Sequence, residues 1–262
     1  MLFTLNTVSK VFALVSFILS TLCLFAGSQE SVMQDASVMT LDTSASEPIS
    51  AIKSVKDSSA ADLGLKDFYT VHVLTYCEGS LDSEGQRDVT GCSKRSAPFA
   101  FNPAKVLEFK DGFNVSDINW PDTITDDFGV METTTKAMSV LYIIGVAATG
   151  VTFLIEILLT QAGGRPSMMA HLFFTVASFS SCLLSFVSLG VSSSVATVIA
   201  VQFVDLINRH GANYGIVALA GSKFLGMTWS AVVLLFFTVV ISVITLPSSG
   251  SMSRPNKETE AV

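Results

Sequence analysis

Four uncharged runs, each long enough to cross a lipid bilayer, constrain this chain more than any other feature: residues 11–29, 137–155, 167–204 and 224–246. A helix rises about 1.5 Å per residue, so about 20 apolar residues span the hydrocarbon core. A single run of this kind could be the buried helix of a large soluble domain. Four of them, with almost no charge between their ends, argue against that. Only 14% of the residues are charged, against about a quarter in soluble domains, and these lie between the runs. The expected fold is therefore a mainly α membrane protein: a four-helix transmembrane bundle with a small, disulfide-bearing, β-containing extracellular domain in its first loop.

The boundaries follow from the runs and from the cations beside them. The expected order is a cytoplasmic N-terminus at 1–10, a first span at 11–28, a large extracellular loop at 29–136 and a second span at 137–160. A cytoplasmic loop at 161–170 precedes a third span at 171–192, whose helix continues outside to about residue 210. A second extracellular loop at 211–222, a fourth span at 223–246 and a cytoplasmic tail at 247–262 complete the chain. Lys10, Arg165, Arg254 and Lys257 fall on one side if all four runs cross, which places both termini in the cytoplasm. Arg209 and Lys223 lie on the other side. A cleaved signal peptide is the rival reading of the first run. Leu24-Phe25-Ala26 puts a bulky residue where cleavage needs a small one, which favours a retained helix.

The large loop divides by composition. Residues 29–62 are rich in Ser and poor in aromatics, so they bury little and are expected to be mobile. A core at 67–110 follows, with a β-branched and aromatic strand at 68–77, a polar turn region at 78–91 and a second strand at 99–101. Asn102-Pro103 reads as the N-cap and first residue of a short helix over 103–109. Asp122, Asp126 and Asp127 suit the start of the second long helix, where acids complement its dipole. Residues 29–136 hold 18 acidic and 9 basic side chains, a net −9. That charge serves solubility first and attraction of cations or a basic partner second. With a net charge of −7 and no basic run, nucleic acid is not an expected partner.

In the third run, Val195, Val198, Ile199, Phe203, Leu206 and Ile207 recur at helical spacing around Gln202. The stripe ends at Asn208-Arg209-His210-Gly211, cations followed by glycine, which is how helices stop.

Few residues carry chemistry. Cys23 and Cys182 lie in apolar runs and behave as small hydrophobes. Cys77 and Cys92 lie in the outer loop and read as a disulfide; a metal pair would need further ligands at suitable spacing. Asn114-Val115-Ser116 is an N-glycosylation sequon. Glu156 stands inside the second span, at 137–160, near its cytoplasmic end; it reads first as a local partner of headgroups or Arg165, and second as a transport site. His72, His171 and His210 sit in no catalytic pattern, so no catalytic residue, cofactor or metal site is expected. Two stripes of small residues let membrane helices approach closely: Ser222, Gly226 and Ser230 form one, and Ala177, Ser181 and Ser185 the other. Both are expected to pack within the bundle by default, and otherwise in an oligomer.

One helix, a large loop with two cysteines, then three helices with a long third: this arrangement resembles the claudin-like tetraspan superfamily, and within it the fungal Sur-seven/PalI family. The residues that carry the resemblance are Tyr76-Cys77-Glu78-Gly79, Cys92, and Phe101-Asn102-Pro103. Two positions depart from the pattern. Val73-Leu74-Thr75 replaces a Gly-Leu-Trp type of triplet, and Asn102 stands where the family carries Asp. The resemblance implies a non-enzymatic, multi-pass plasma-membrane protein that organises membrane domains at the cell cortex, with eisosome, cell-wall and stress-related roles. Two other roles within the superfamily are mating-cell fusion with low-affinity calcium influx, and PalI-like pH signalling. Implied partners are the lipid bilayer, a second copy or other membrane and cortex proteins, and the cell wall.

Overall fold

The computed structural model describes residues 2–28, 33–44, 66–102, 106, 122–161, 168–211 and 216–245. Among these residues, five helices and five strands form a bundle with a cap on one end. Helix α1 is Leu2–Phe25, followed by strands β1 (Met39–Asp42), β2 (Phe68–Val71), β3 (Tyr76–Leu81) and β4 (Arg87–Cys92). Helices α2 (Asp122–Gln161) and α3 (Met168–Val198) follow; a π-helical segment (Ile199–Phe203) carries α3 directly into α4 (Val204–Gly211). Strand β5 (Val217–Ala220) and helix α5 (Ser222–Thr245) come last. Four stretches are long and apolar enough to cross a membrane: Thr7–Phe25, Gly129–Leu159, Leu172–Arg209 and Ser222–Thr245.

The bundle packs α2 along α3 and α1 along α5. Its interior mixes apolar side chains with hydroxyls. Membrane helices gain nothing by hiding hydrocarbon from hydrocarbon, so close packing and interhelical hydrogen bonds hold them instead. Ser16 Oγ donates to the Ala231 carbonyl at 3.0 Å, Ser192 Oγ to Met138 at 2.9 Å, and Ser193 pairs with Thr228 at 2.8 Å. Tyr142 is fully buried at the centre, its ring 5.9 Å from that of Phe224.

The cap is one antiparallel sheet in the order β4-β3-β2-β1-β5. The expected single strand at 68–77 is in fact a hairpin. Residues 72–75 turn between β2 and β3, closed by the His72 N–H on the Thr75 carbonyl at 2.8 Å. No Gly or Pro marks this turn; it is held by tertiary contact, with the His72 ring packed on Gly27 at the end of α1. The expected turn region at 78–91 is largely strand. Gly79 sits inside β3, where a Cβ would strike the Asp88 carbonyl and the Phe68 ring. Only residues 82–86 turn, with Gly85 at φ +76° and the Asp82 carboxylate accepting the Glu84 and Gln86 N–H groups.

Two strands lie where none was expected. β1 falls in the Ser-rich stretch expected to be mobile; Met39 and Leu41 are buried there, which offsets the cost of ordering. β5 falls in the second loop and pairs with β1, Met39 opposite Ala220. Conversely, the expected strand at 99–101 joins no sheet. The helix expected at 103–109 lies outside the described residues except for Val106, whose N–H donates to the Asn102 carbonyl at 3.2 Å. Helix α2 starts at Asp122, fifteen residues before the apolar run at 137, so its first turns rise from the bundle beside the cap.

Candidate functional site: the disulfide-bearing cap

The chemistry-bearing residues of the cap meet where the sheet rests on the bundle. Cys77 and Cys92 stand opposite one another in the β3–β4 register with Cα atoms 4.0 Å apart, and they are bonded. Cys77 is fully buried, and its sulfur lies 3.3 Å from the Gly27 carbonyl oxygen. The disulfide is therefore tied to the end of α1 as well as to its own hairpin.

Tyr76 stacks edge-on against Phe101, ring centroids 6.2 Å apart. Phe101 is fully buried, and the extended segment that carries it is held by helix hydroxyls in place of a neighbouring strand. Ser139 Oγ accepts the Phe99 N–H at 3.0 Å, and Thr135 Oγ1 accepts the Phe101 N–H at 3.0 Å. The Asn102 side chain donates to Glu132 on the same helix at 2.8 Å. Tyr76, Cys77, Cys92, Phe101 and Asn102 thus form one contiguous joint between sheet and α2, with Gly79 further along β3. Pro103 and Asn114 lie outside the described residues.

His72 is the buried polar centre of this joint. Its Nδ1 lies 3.3 Å from the Ala36 carbonyl and its Nε2 3.3 Å from the Thr70 hydroxyl. Burial pushes its pKa down to about 4, so the ring is neutral at ordinary pH. Tyr69 lies nearby, its hydroxyl accepting the Lys66 N–H at 3.2 Å, and burial raises its pKa. Sequence reasoning placed His72 on a strand face and missed this role. The signal was a lone histidine preceding a turn without glycine, too weak to read without the α1 contact.

The second cap edge is closed by a side chain. The Asn208 amide on α4 accepts the Ala218 N–H at 2.7 Å and donates to the Ala218 carbonyl at 3.0 Å. These backbone groups would otherwise be free to pair with another strand.

The remaining candidates are dispersed. Glu156 is buried between the spans, only 9% exposed, and its charged neighbour is Lys10 of α1. Arg165, the partner expected from sequence, lies outside the described residues.

Of the two small-residue stripes, the one formed by Ala177, Ser181 and Ser185 packs inward as expected. Ser181 Oγ donates to Ala148 at 2.9 Å, Ser185 Oγ to Gly145 at 3.0 Å, and Ser185 also pairs with Thr149. The other stripe departs from the expectation: Ser222, Gly226 and Ser230 are all exposed and do not serve the bundle. The reason is the helical phase of α5, which buries Phe224, Thr228, Ala231 and Leu235. Gly226 and Ser230 follow Phe224 and Thr228 by two positions, about 200° round the helix. Ser230 Oγ therefore donates to its own helix, to the Gly226 carbonyl at 2.7 Å, and reaches no neighbouring span. A Cβ at Gly226 would meet nothing within 4 Å. Among the described residues no group of His, Cys, Asp and Glu is arranged to hold a metal.

The SUR7/PalI family profile matches residues 5–241, which takes in the whole cap and nearly all of the bundle. The chain belongs to the SUR7/PalI family. It is also similar to Protein PUN1 of Saccharomyces cerevisiae, 23% identical over 230 residues that cover 83% of this chain and 82% of that protein. No solved structure matches it. The family match and the four apolar spans make it a multi-pass membrane protein of a structural membrane family.

Proposed function

We propose that this family member organises plasma-membrane domains at the fungal cell cortex without catalysing a reaction, its cap outside the cell and both termini in the cytoplasm. The observation that carries the reading is the family match over residues 5–241, reaching all four apolar spans and taking in every strand of the cap. The disulfide supports the orientation, because such bonds persist in oxidising compartments. The cap is the surface that meets the wall, neighbouring proteins or a second copy, in an eisosome- and stress-related role. Asn114, in the outer loop on this reading, carries an N-glycan.

One observation favours a second reading. A buried intramembrane carboxylate such as Glu156 marks ion pathways in many membrane proteins, which suits a claudin-like protein of mating-cell fusion or calcium influx. PalI-like pH signalling is a third role within the family, without a site among the described residues to favour it. Imaging and uptake separate the first two. A fluorescently tagged copy is expected in stable surface patches, its deletion is expected to lower tolerance of wall stress, and calcium uptake is expected to be unchanged by Glu156→Gln. A diffuse surface signal together with calcium uptake that vanishes in Glu156→Gln cells refutes the organiser. Protease added to intact spheroplasts is expected to cut the cap loop and spare a C-terminal tag; loss of the tag refutes the orientation.

A further inference from the structure

The described cations of the chain sort into two groups. Arg87 pairs with Asp42 at 3.9 Å, Arg209 with Asp205 at 2.8 Å and Lys223 with Asp35 at 2.6 Å, while Lys10 faces Glu156. Lys66 is half-buried at the start of β2. Three remain, Lys94, Arg95 and Lys136, all exposed, their side-chain nitrogens without a hydrogen bond or ion pair among the described residues.

One tie links the loop that carries Lys94 and Arg95 to the helix turn that carries Lys136. The loop from Ser93 to Phe99 is pinned at both ends. The Ser93 N–H donates to the Tyr76 carbonyl and the Ser96 N–H to the Leu74 carbonyl, on the same turn that packs against Gly27 at the end of the first span. At its other end the Phe99 N–H reaches Ser139, whose hydroxyl also bonds the Lys136 carbonyl. Ser139 lies in the first turn of the uncharged run that begins at 137, so Lys136 is the last cation before that run and the end of the loop lies beside it. We propose that Lys94, Arg95 and Lys136 form a patch that binds the phosphate groups of lipids in the adjoining leaflet, fixing the cap's height and tilt on the membrane. Phosphate oxygens suit both guanidinium and ammonium donors, and each cation held at the surface of an anionic lipid such as phosphatidylglycerol strengthens binding about fivefold.

The test is lipid retention by the purified full-length protein, read by native mass spectrometry with phosphatidylglycerol or phosphatidylcholine added to the detergent. The wild type is expected to retain phosphatidylglycerol in preference. The triple variant Lys94→Gln, Arg95→Gln, Lys136→Gln is expected to lose about a hundredfold in that affinity with an unchanged melting temperature. The control variant Arg87→Gln, Lys223→Gln removes two paired cations, one on β4 of the cap and one at the start of α5, and is expected to retain the lipid as the wild type does. Inorganic phosphate at millimolar concentration is expected not to compete. The proposal is overturned if the triple variant binds as the wild type does, if the control loses as much, if the wild type shows no preference, or if inorganic phosphate displaces the lipid.

Discussion

Removing the two hydroxyls that hold the Phe99–Phe101 segment to α2 should detach it while leaving the bundle whole. The segment has no strand beside it. Its Phe99 and Phe101 N–H groups are bonded to Ser139 Oγ and Thr135 Oγ1, each at 3.0 Å, and all four residues are buried. Thr135→Val keeps the side-chain volume, and Ser139→Ala removes one oxygen, so neither opens a cavity of consequence. Each leaves a buried donor unsatisfied, which costs about 1–3 kcal/mol; the pair together costs about 2–6 kcal/mol. Opening of the segment then becomes at least about 30-fold more frequent, since about 1.4 kcal/mol is a factor of ten. Hydrogen–deuterium exchange on the protein in nanodiscs reads this directly at the Phe99 and Phe101 amides. Thr133→Val is the control, because the exposed Thr133 hydroxyl bonds only the Gly129 carbonyl of its own helix. If both amides of the double variant exchange as slowly as in the wild type, the hydroxyls do not hold the segment and the reasoning fails.

Three further outcomes are expected. Cys77→Ser with Cys92→Ser releases a crosslink of sequence separation 15 and lowers cap stability by about 3 kcal/mol, read as a lower melting temperature; in the intact, unreduced wild type neither cysteine takes up an alkylating reagent. His72 is held near 4 in the fold against 6.5 when unfolded, so its contribution is full above pH 6.5 and is lost as pH falls toward 4, by about 3 kcal/mol; denaturation midpoints are expected to drop over that window in the wild type and to stay flatter in His72→Asn. Gly79→Ala is expected to cost about 1–3 kcal/mol by overpacking, while Gly91→Ala, whose nearest neighbour would be the Glu78 side chain at 3.8 Å, stays within about 0.5 kcal/mol; equal melting temperatures refute the packing argument at Gly79.

The bundle was legible in the sequence because hydropathy is a local property that accumulates over twenty residues. The continuation of the third long helix past Val195 was legible for the same reason, although Val198 is exposed and residues 199–203 wind as a π-helix that shifts the stripe; the cysteine pair was legible because it stood alone in the large loop. The cap was read less well, and its errors share a cause. Residues 68–77 have strand-like composition throughout, so nothing local announces the turn at 72–75; that turn exists because His72 packs on Gly27, some forty-five residues away. β1 and β5 are four residues each, too short for a periodicity; β5 is a strand because β1 lies beside it, and β1 because β2 and β5 flank it. Small-residue spacing told which residues of α5 share a face, Ser222 with Gly226 and Ser230, but not which way that face points. Glu156 was placed correctly in the second span, but its neighbour Lys10 lies on another helix. Arg165, which the sequence offers as a partner beside the headgroups, lies outside the described residues.

The pairing of β1 with β5 bears on how the molecule must be made. β1 ends at residue 42 and β5 begins at 217, so 175 residues separate the two halves of one ladder. At about 5–20 residues per second of synthesis, β1 waits roughly 9–35 s for its neighbour. During that interval three helices have yet to be inserted, and a strand with buried Met39 and Leu41 has one side bare. The cap therefore closes last, as a latch that engages only when the final helix is arriving. A chain truncated or stalled before residue 217 would present an open strand edge to whatever surveys unfinished membrane proteins, and so would report its own incompleteness.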